Sequence, residues 1–116
     1  MYVAIDNEVH PVDLSGEQDI QGVTLKEMIT AKDGAPTFSL RIFRLEPGGY
    51  TPFHSHIWEH EVFVFDGSGL VIGEEHTLPI KKGYSVFVPP GEKHRFKAGE
   101  QGMSFVCCIP HHIKEK

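Results

Sequence analysis

Residues 48–61 read GGYTPFHSHIWEHE and contain three of the eight histidines in this 116-residue chain. His54 and His56 are two positions apart, so they lie on the same side of an extended strand. His60 follows after a short polar turn. Neighbouring imidazoles are a geometry that binds metal ions, although an HxH pair alone is also typical of a solvated strand edge. This segment is therefore the candidate site for chemistry.

A second block, residues 83–94, reads GYSVFVPPGEKH and ends on another histidine. Its spacing is G-x5-P-x-G-x2-H, which runs from Gly83 to His94. The first block fits G-x5-H-x-H-x4-E and is followed by Gly67, with 15 residues between Gly67 and Gly83. Each block ends a strand-like run with glycine or proline, which is typical of a short loop between strands.

These two blocks resemble the two motifs of the RmlC-like cupin family, the first over residues 48–67 and the second over residues 83–98. The resemblance implies an all-β fold, a double-stranded β-helix or jelly roll. It also implies that residues 1–116 form one conserved barrel domain of the cupin_2 type. A metal ion would then lie inside the barrel, near its wider mouth.

The third ligand of the first motif has two candidates, His60 and Glu61, because the family accepts a glutamate at either spacing. Alternation along a strand lets only one of them point inward. The string HSHIWEHE resembles small monocupins with four histidine ligands, typified by manganese-binding members. That resemblance favours His60 and implies the metal ligands His54, His56, His60 and His94.

The resemblance implies one divalent transition metal ion as the cofactor. Manganese or iron is expected, and nickel, zinc and copper also suit imidazole ligands. Four neutral imidazoles add no negative charge, so the ion keeps its +2 charge and attracts anionic oxygen donors. An octahedral ion would retain two positions for other ligands, which is typical of catalytic sites.

Four other side chains are candidates for roles around the metal. The four-histidine monocupins have a cysteine that matches Cys107, which implies a thiol near the metal, either redox-active or passive. Trp58 either caps the pocket or forms a hydrophobic contact. Arg41 and Arg44 fall on opposite faces of one strand, so one of them points inward toward a carboxylate or both pair at the surface.

The remaining histidines are expected at the surface: His10, His76, His111 and His112.

Short apolar runs separated by turn residues predict an antiparallel sandwich or barrel. The predicted strands cover residues 23–29, 38–45, 50–56, 61–65, 70–73, 76–80, 84–88, 94–98 and 103–109. Asp-Gly-Ser-Gly at residues 66–69 predicts a hairpin turn.

Composition excludes several classes of protein. The formal net charge of −5, without a cluster of lysine and arginine, excludes nucleic acid as an expected partner. The apolar runs are too short to cross a membrane, and the first 13 residues do not resemble a secretion signal, so a cytoplasmic location is expected. The neighbouring Cys107 and Cys108 point to opposite faces of a strand, so no disulfide is expected.

Three functions fit this pattern. The first is a metal-dependent oxidoreductase of dioxygenase type, with a small-molecule substrate. The second is a non-redox isomerase of a sugar or keto acid, with Glu61 as general base if that side chain points inward. The third is a module that binds a small molecule or the metal without turnover. A homodimer is expected, with residues 1–14 exchanged or in contact at its interface.

Overall fold

The computed structural model describes residues 1–111, so the prediction for His112 lies outside the described residues. Seven strands fall within this range, together with short 3₁₀ turns at Asp6–Glu8 and Ala31–Asp33. The strands are β1 Val12–Asp13, β2 Gln21–Ile29, β3 Phe38–Tyr50, β4 His60–Gly73, β5 Thr77–Lys81, β6 Ser85–Val88 and β7 His94–Pro110. Across this range, no helix has the length and apolar character needed to span a membrane.

All strand pairs are antiparallel and form one sheet in the order β1-β2-β3-β7-β4-β5, with β6 paired to the first half of β4. This single antiparallel sheet is typical of a jelly roll and confirms the predicted all-β fold. Its interior holds the hydrophobic core: Val23, Leu45, Val62, Val64, Ile80, Val88, Phe96, Ala98, Met103, Phe105 and Cys107.

Strand β4 decides which side chains face the interior. His60, Val62 and Val64 are buried, whereas Glu61 and Phe63 are exposed on the outer face. The β-branched and aromatic residues of this run favour a strand, and alternation sends successive side chains to opposite faces. The inward orientation therefore belongs to His60 and not to Glu61.

The predicted hairpin turn at residues 66–69 is wrong, because β4 continues through it to Gly73. The glycines serve β-bulges instead: the register against β7 shifts between Val64 and Asp66 and again between Gly67 and Gly69. Gly67 has a φ of +77°, the left-handed conformation that favours glycine. The last two predicted strands, residues 94–98 and 103–109, also belong to one strand, β7.

The predicted strand over residues 50–56 is mostly a loop. Its one pairing is an isolated bridge between His54 and His94. Pro52 has no N–H to donate to a sheet, which is one reason why β3 ends at Tyr50.

The segment before β2 contacts β2 and β3 through Asp6 and β1. The β1 residues Val12 and Asp13 pair with Leu25 and Thr24 of β2. The Asp6 carboxylate accepts hydrogen bonds from Arg44 and Lys26, which lower the pKa of Asp6 to about 2. The expected homodimer stays a prediction.

Candidate metal centre

Backbone hydrogen bonds join the two histidine-bearing segments. The His94 N–H donates to the His54 carbonyl at 2.9 Å, and the His54 N–H donates to the His94 carbonyl at 3.1 Å. The Gly91 N–H donates to the His56 carbonyl at 2.7 Å. The loop that carries His54 and His56 is therefore fixed against the start of β7.

A second contact that sequence reasoning missed holds the same loop from outside. The Asp19 carboxylate accepts the Phe53 N–H at 3.0 Å and forms an ion pair with Arg95. The Arg95 Nε donates to the Thr51 carbonyl at 2.8 Å. The Phe53 N–H, followed by Arg95, holds the pKa of Asp19 below its usual value. Nothing in the sequence spacing marks this distant pair.

The structure groups three of the four predicted ligands, His54, His56 and His94, and places His60 beside His56. Ring nitrogens of His54, His56 and His94 lie within 4.8 Å of one another. The Nε2 of His60 lies 2.5 Å from the Nε2 of His56. His56, His60 and His94 are buried, with 7%, 8% and 3% of their surface exposed, whereas His54 is exposed at the cavity mouth. Glu61 is outside this group.

Hydrogen bonds on the far side of three rings orient them. The Nδ1 of His56 donates to the Trp58 carbonyl at 3.1 Å, and the Nδ1 of His94 donates to the Glu92 carbonyl at 2.9 Å. A carbonyl only accepts, so Nδ1 of each ring carries a hydrogen, which is the arrangement of a histidine that binds a metal through Nε2. The Nδ1 of His60 contacts the Cys107 Sγ at 3.0 Å. Such outer partners are typical of metal-bound histidines.

The group fits a divalent transition metal ion. Two nitrogens bound at about 2.1 Å to one ion lie about 3 Å apart side by side and about 4.2 Å apart on opposite sides. The ring nitrogens of His54, His56 and His94, all within 4.8 Å of one another, are near enough to share one ion. Imidazole suits iron, nickel, copper and zinc. His54, His56 and His94 could hold the ion, and His60, next to His56, is the predicted fourth ligand.

Burial favours the neutral form of two of these rings, His54 and His60. It lowers the pKa of His60 to about 2, with further lowering by His56 and His94. Burial followed by His94 and His56 lowers the pKa of His54 to about 4. At neutral pH both imidazoles are therefore unprotonated, which is the form that binds a metal.

We expect the metal-free protein to lose stability as the pH falls below 6.5. The folded-state pKa values of His54 and His60 are lower than 6.5, so the unfolded chain binds protons that the folded chain excludes. Their contribution is fully present above pH 6.5 and is lost as the pH falls toward the folded pKa values. For His60 the free energy of unfolding should fall by up to about 1.4 kcal/mol per pH unit.

Urea unfolding with a chelator between pH 7.5 and pH 5 tests this expectation. His60→Gln should flatten the dependence, whereas His76→Gln, at an exposed position, should leave it unchanged. A wild-type midpoint that is constant over this range would contradict the account.

A cavity of about 230 Å³ opens above the histidines. Its walls come from the inward faces of β2, β3 and β7 and from the segment before β2. They are mainly aliphatic and aromatic: Leu14, Ile20, Val23, Leu25, Phe43, Trp58, Phe96 and Phe105. Among the described residues no carboxylate lines it, and the polar walls apart from the histidines are Arg41, Thr51 and Cys107.

The structure decides between the alternatives for the other candidates. Trp58 lines the cavity, and its indole stacks on the His56 ring with centroids 4.6 Å apart. Arg41 points into the cavity, whereas Arg44 pairs with Asp6 on the outer face. Cys107 is buried beside His60, and burial raises the pKa of its thiol. Its Sγ also accepts a hydrogen bond from the Arg41 Nη2 at 3.2 Å.

Cys107→Ala should weaken metal binding by about 10- to 100-fold, because it removes the sulfur that orients the His60 ring. Cys108→Ala is the matched control, since Cys108 points to the other face of β7. Titration against a chromophoric chelator gives both affinities. Equal affinities for the two variants would show that Cys107 does not position His60.

The sequence and the fold of this chain are similar to those of known proteins. The family model described as Cupin domain matches residues 41–109. The polyketide cyclase RemF of Streptomyces resistomycificus is 32% identical, with a TM-score of 0.87 over 95% of this chain and 79% of that chain. A predicted oxalate decarboxylase of Thermotoga maritima is 23% identical, with a TM-score of 0.83 over 94% of this chain and 98% of that chain, and this likeness shows the fold alone.

A curated relative is an uncharacterized protein of Methanocaldococcus jannaschii, 27% identical over 63 residues. The match spans 53% of this chain and half the length of that relative. The Cupin domain match covers more than half of the chain and includes all four histidines. This chain therefore belongs to the cupin domain family.

Proposed function

We propose that the protein is a metal-dependent oxidoreductase of dioxygenase type that acts on a small, largely apolar molecule. The observation that carries the proposal is the cluster of His54, His56 and His94, with His60 beside it, in an apolar and aromatic cavity. The ion would be manganese or iron, held by His54, His56, His60 and His94.

The absence of a carboxylate from the described cavity wall favours this function over the isomerase. Glu61, the general base that isomerisation would use, is exposed on the outer face of β4. When bound, the ion supplies a redox centre and a +2 charge that attracts anionic oxygen donors. A dioxygenase places both oxygen atoms in the substrate, so no external reductant is required.

The chain itself has three tasks in this proposal. The far-side hydrogen bonds of His56, His60 and His94 aim their Nε2 atoms at a common point. Phe43, Phe96 and Phe105 lie in contact, with centroids 5.3 and 4.8 Å apart, and exclude water from the reacting atoms. The Trp58 ring holds the His56 ring by stacking.

Oxygen uptake tests the proposal. Protein purified without affinity resin would be analysed for metal and then loaded with iron(II), manganese(II) or zinc(II). Catechol and pentane-2,4-dione, two chelating oxygen donors, serve as probes. We expect iron or manganese protein to consume oxygen in proportion to probe loss. His54→Ala should abolish uptake, while the exposed control His76→Ala should retain it. Loss of either probe without any oxygen uptake would contradict dioxygenase chemistry.

A non-redox ring closure is the second candidate function, since the similar RemF is a polyketide cyclase. A bound ion would then polarise a carbonyl of the substrate. Zinc-loaded protein under nitrogen distinguishes the two, because only the cyclase would form product there. Thermal stabilisation by the probes without any product would indicate a binding module instead.

A further inference from the structure

The cavity contains a positive charge that the metal site does not use. Arg41 lies on β3 directly opposite Cys107 of β7, and both line the cavity. The Arg41 guanidinium lies 5.0 Å from the centroid of the Phe43 ring. Within the described chain its one hydrogen bond runs to the Cys107 Sγ. A sulfur atom is a weak acceptor and leaves most of the guanidinium's hydrogen-bonding capacity unfilled.

No acidic side chain among the described residues forms an ion pair with Arg41. The three ion pairs among residues 1–111 are Lys26 with Asp6, Arg44 with Asp6, and Arg95 with Asp19. The Nε of Arg41 is buried and has no hydrogen-bond partner. The indole nitrogen of Trp58, another cavity residue, is also buried without a partner. Leaving buried donors without a partner is costly, so these two nitrogens indicate a ligand with acceptor oxygens.

We propose that Arg41 binds a carboxylate of the substrate, which makes the substrate class small aromatic or apolar carboxylic acids. The planar guanidinium matches a carboxylate in a paired arrangement of hydrogen bonds. The surrounding Phe43, Phe96 and Phe105 suit an aromatic or aliphatic body. The inference rests on the proposed function in one respect, that this cavity is the substrate site.

Calorimetric titration of metal-free protein with benzoate and benzamide tests the proposal. The two probes have the same shape, and only benzoate carries a charge. Without metal, no ion competes with Arg41 for the carboxylate. We expect wild-type protein to bind benzoate about 10- to 100-fold more tightly than benzamide. Arg41→Gln should abolish this preference, and Arg41→Lys should retain part of it because the charge remains.

Arg44→Gln is the matched control, since it removes the same charge from the outer face of the same strand. It should keep the wild-type preference. Equal binding of the two probes by wild-type protein, or an undiminished preference in Arg41→Gln and Arg41→Lys, would overturn the proposal. This outcome is separate from that of the oxygen assay: metal-dependent turnover without a carboxylate preference would refute only the role of Arg41.

Discussion

His60→Ala is expected to lower the affinity for manganese(II) or zinc(II) by about 100-fold or more. The variant removes one of four imidazoles that converge at the cavity floor and leaves the Cys107 thiol without its ring partner. Loss of an outer partner of a metal ligand already costs about 10- to 100-fold in affinity, so loss of the ligand itself should cost at least as much. Competition with a chromophoric chelator measures the affinity, and elemental analysis gives the amount of bound metal.

Glu61→Gln is the informative control, because the motif spacing allows Glu61 to compete with His60 as a ligand. Glu61 is exposed on the outer face of β4, so its replacement should leave metal affinity within about twofold of wild type. A loss of affinity in Glu61→Gln, with normal affinity in His60→Ala, would show that the ligand assignment is wrong.

Gly67→Ala is expected to cost about 3–5 kcal/mol of stability or to prevent folding. Gly67 has a φ of +77°, which side-chain-bearing residues rarely adopt. A methyl group there would also overlap the backbone carbonyl of Gly102 on the neighbouring strand β7. Backbone atoms inside a sheet cannot shift as a flexible side chain can, so strain and overlap add. Urea unfolding measures the difference from wild type.

Gly83→Ala separates these two causes. Gly83 has a φ of +95°, but no heavy atom lies within 4 Å of where its Cβ would be. Only the conformational strain applies, so the expected cost is about 1 kcal/mol. Similar losses of stability in the two variants would mean that the approach of Gly102 to Gly67 is not restrictive.

Much of the fold could be predicted from local sequence, but the ends of the strands could not. Residues 61–65 are almost all β-branched or aromatic, and they belong to strand β4 as expected. At residues 66–69 the local signal for a turn was wrong. The same glycines permit bulges and a close approach to β7, which depend on a strand about 35 positions away. Pairing between distant segments overrides turn propensity there.

The candidate site was predictable mainly from motif spacing and family resemblance. Alternation alone left His60 and Glu61 as alternatives, and residues 50–56, expected to be a strand, are mostly a loop. The structure places His54, His56 and His60 on one cavity. Alternation placed Arg41 and Arg44 on opposite faces of β3 but did not show which of them points into the cavity. The ion pair of Arg44 with Asp6 holds Arg44 on the outer face, so Arg41 is the inward residue. The Asp19 and Arg95 contact was missed, because two residues 76 positions apart carry no local pattern.

Anomalous diffraction from a manganese-loaded crystal tests the four-histidine centre most directly. The account predicts a single strong peak in the cavity, about 2.2 Å from the Nε2 atoms of His54, His56, His60 and His94. It also predicts that no second peak lies near Glu61. A cavity without a peak after loading, or a peak that His60 does not contact, would contradict it.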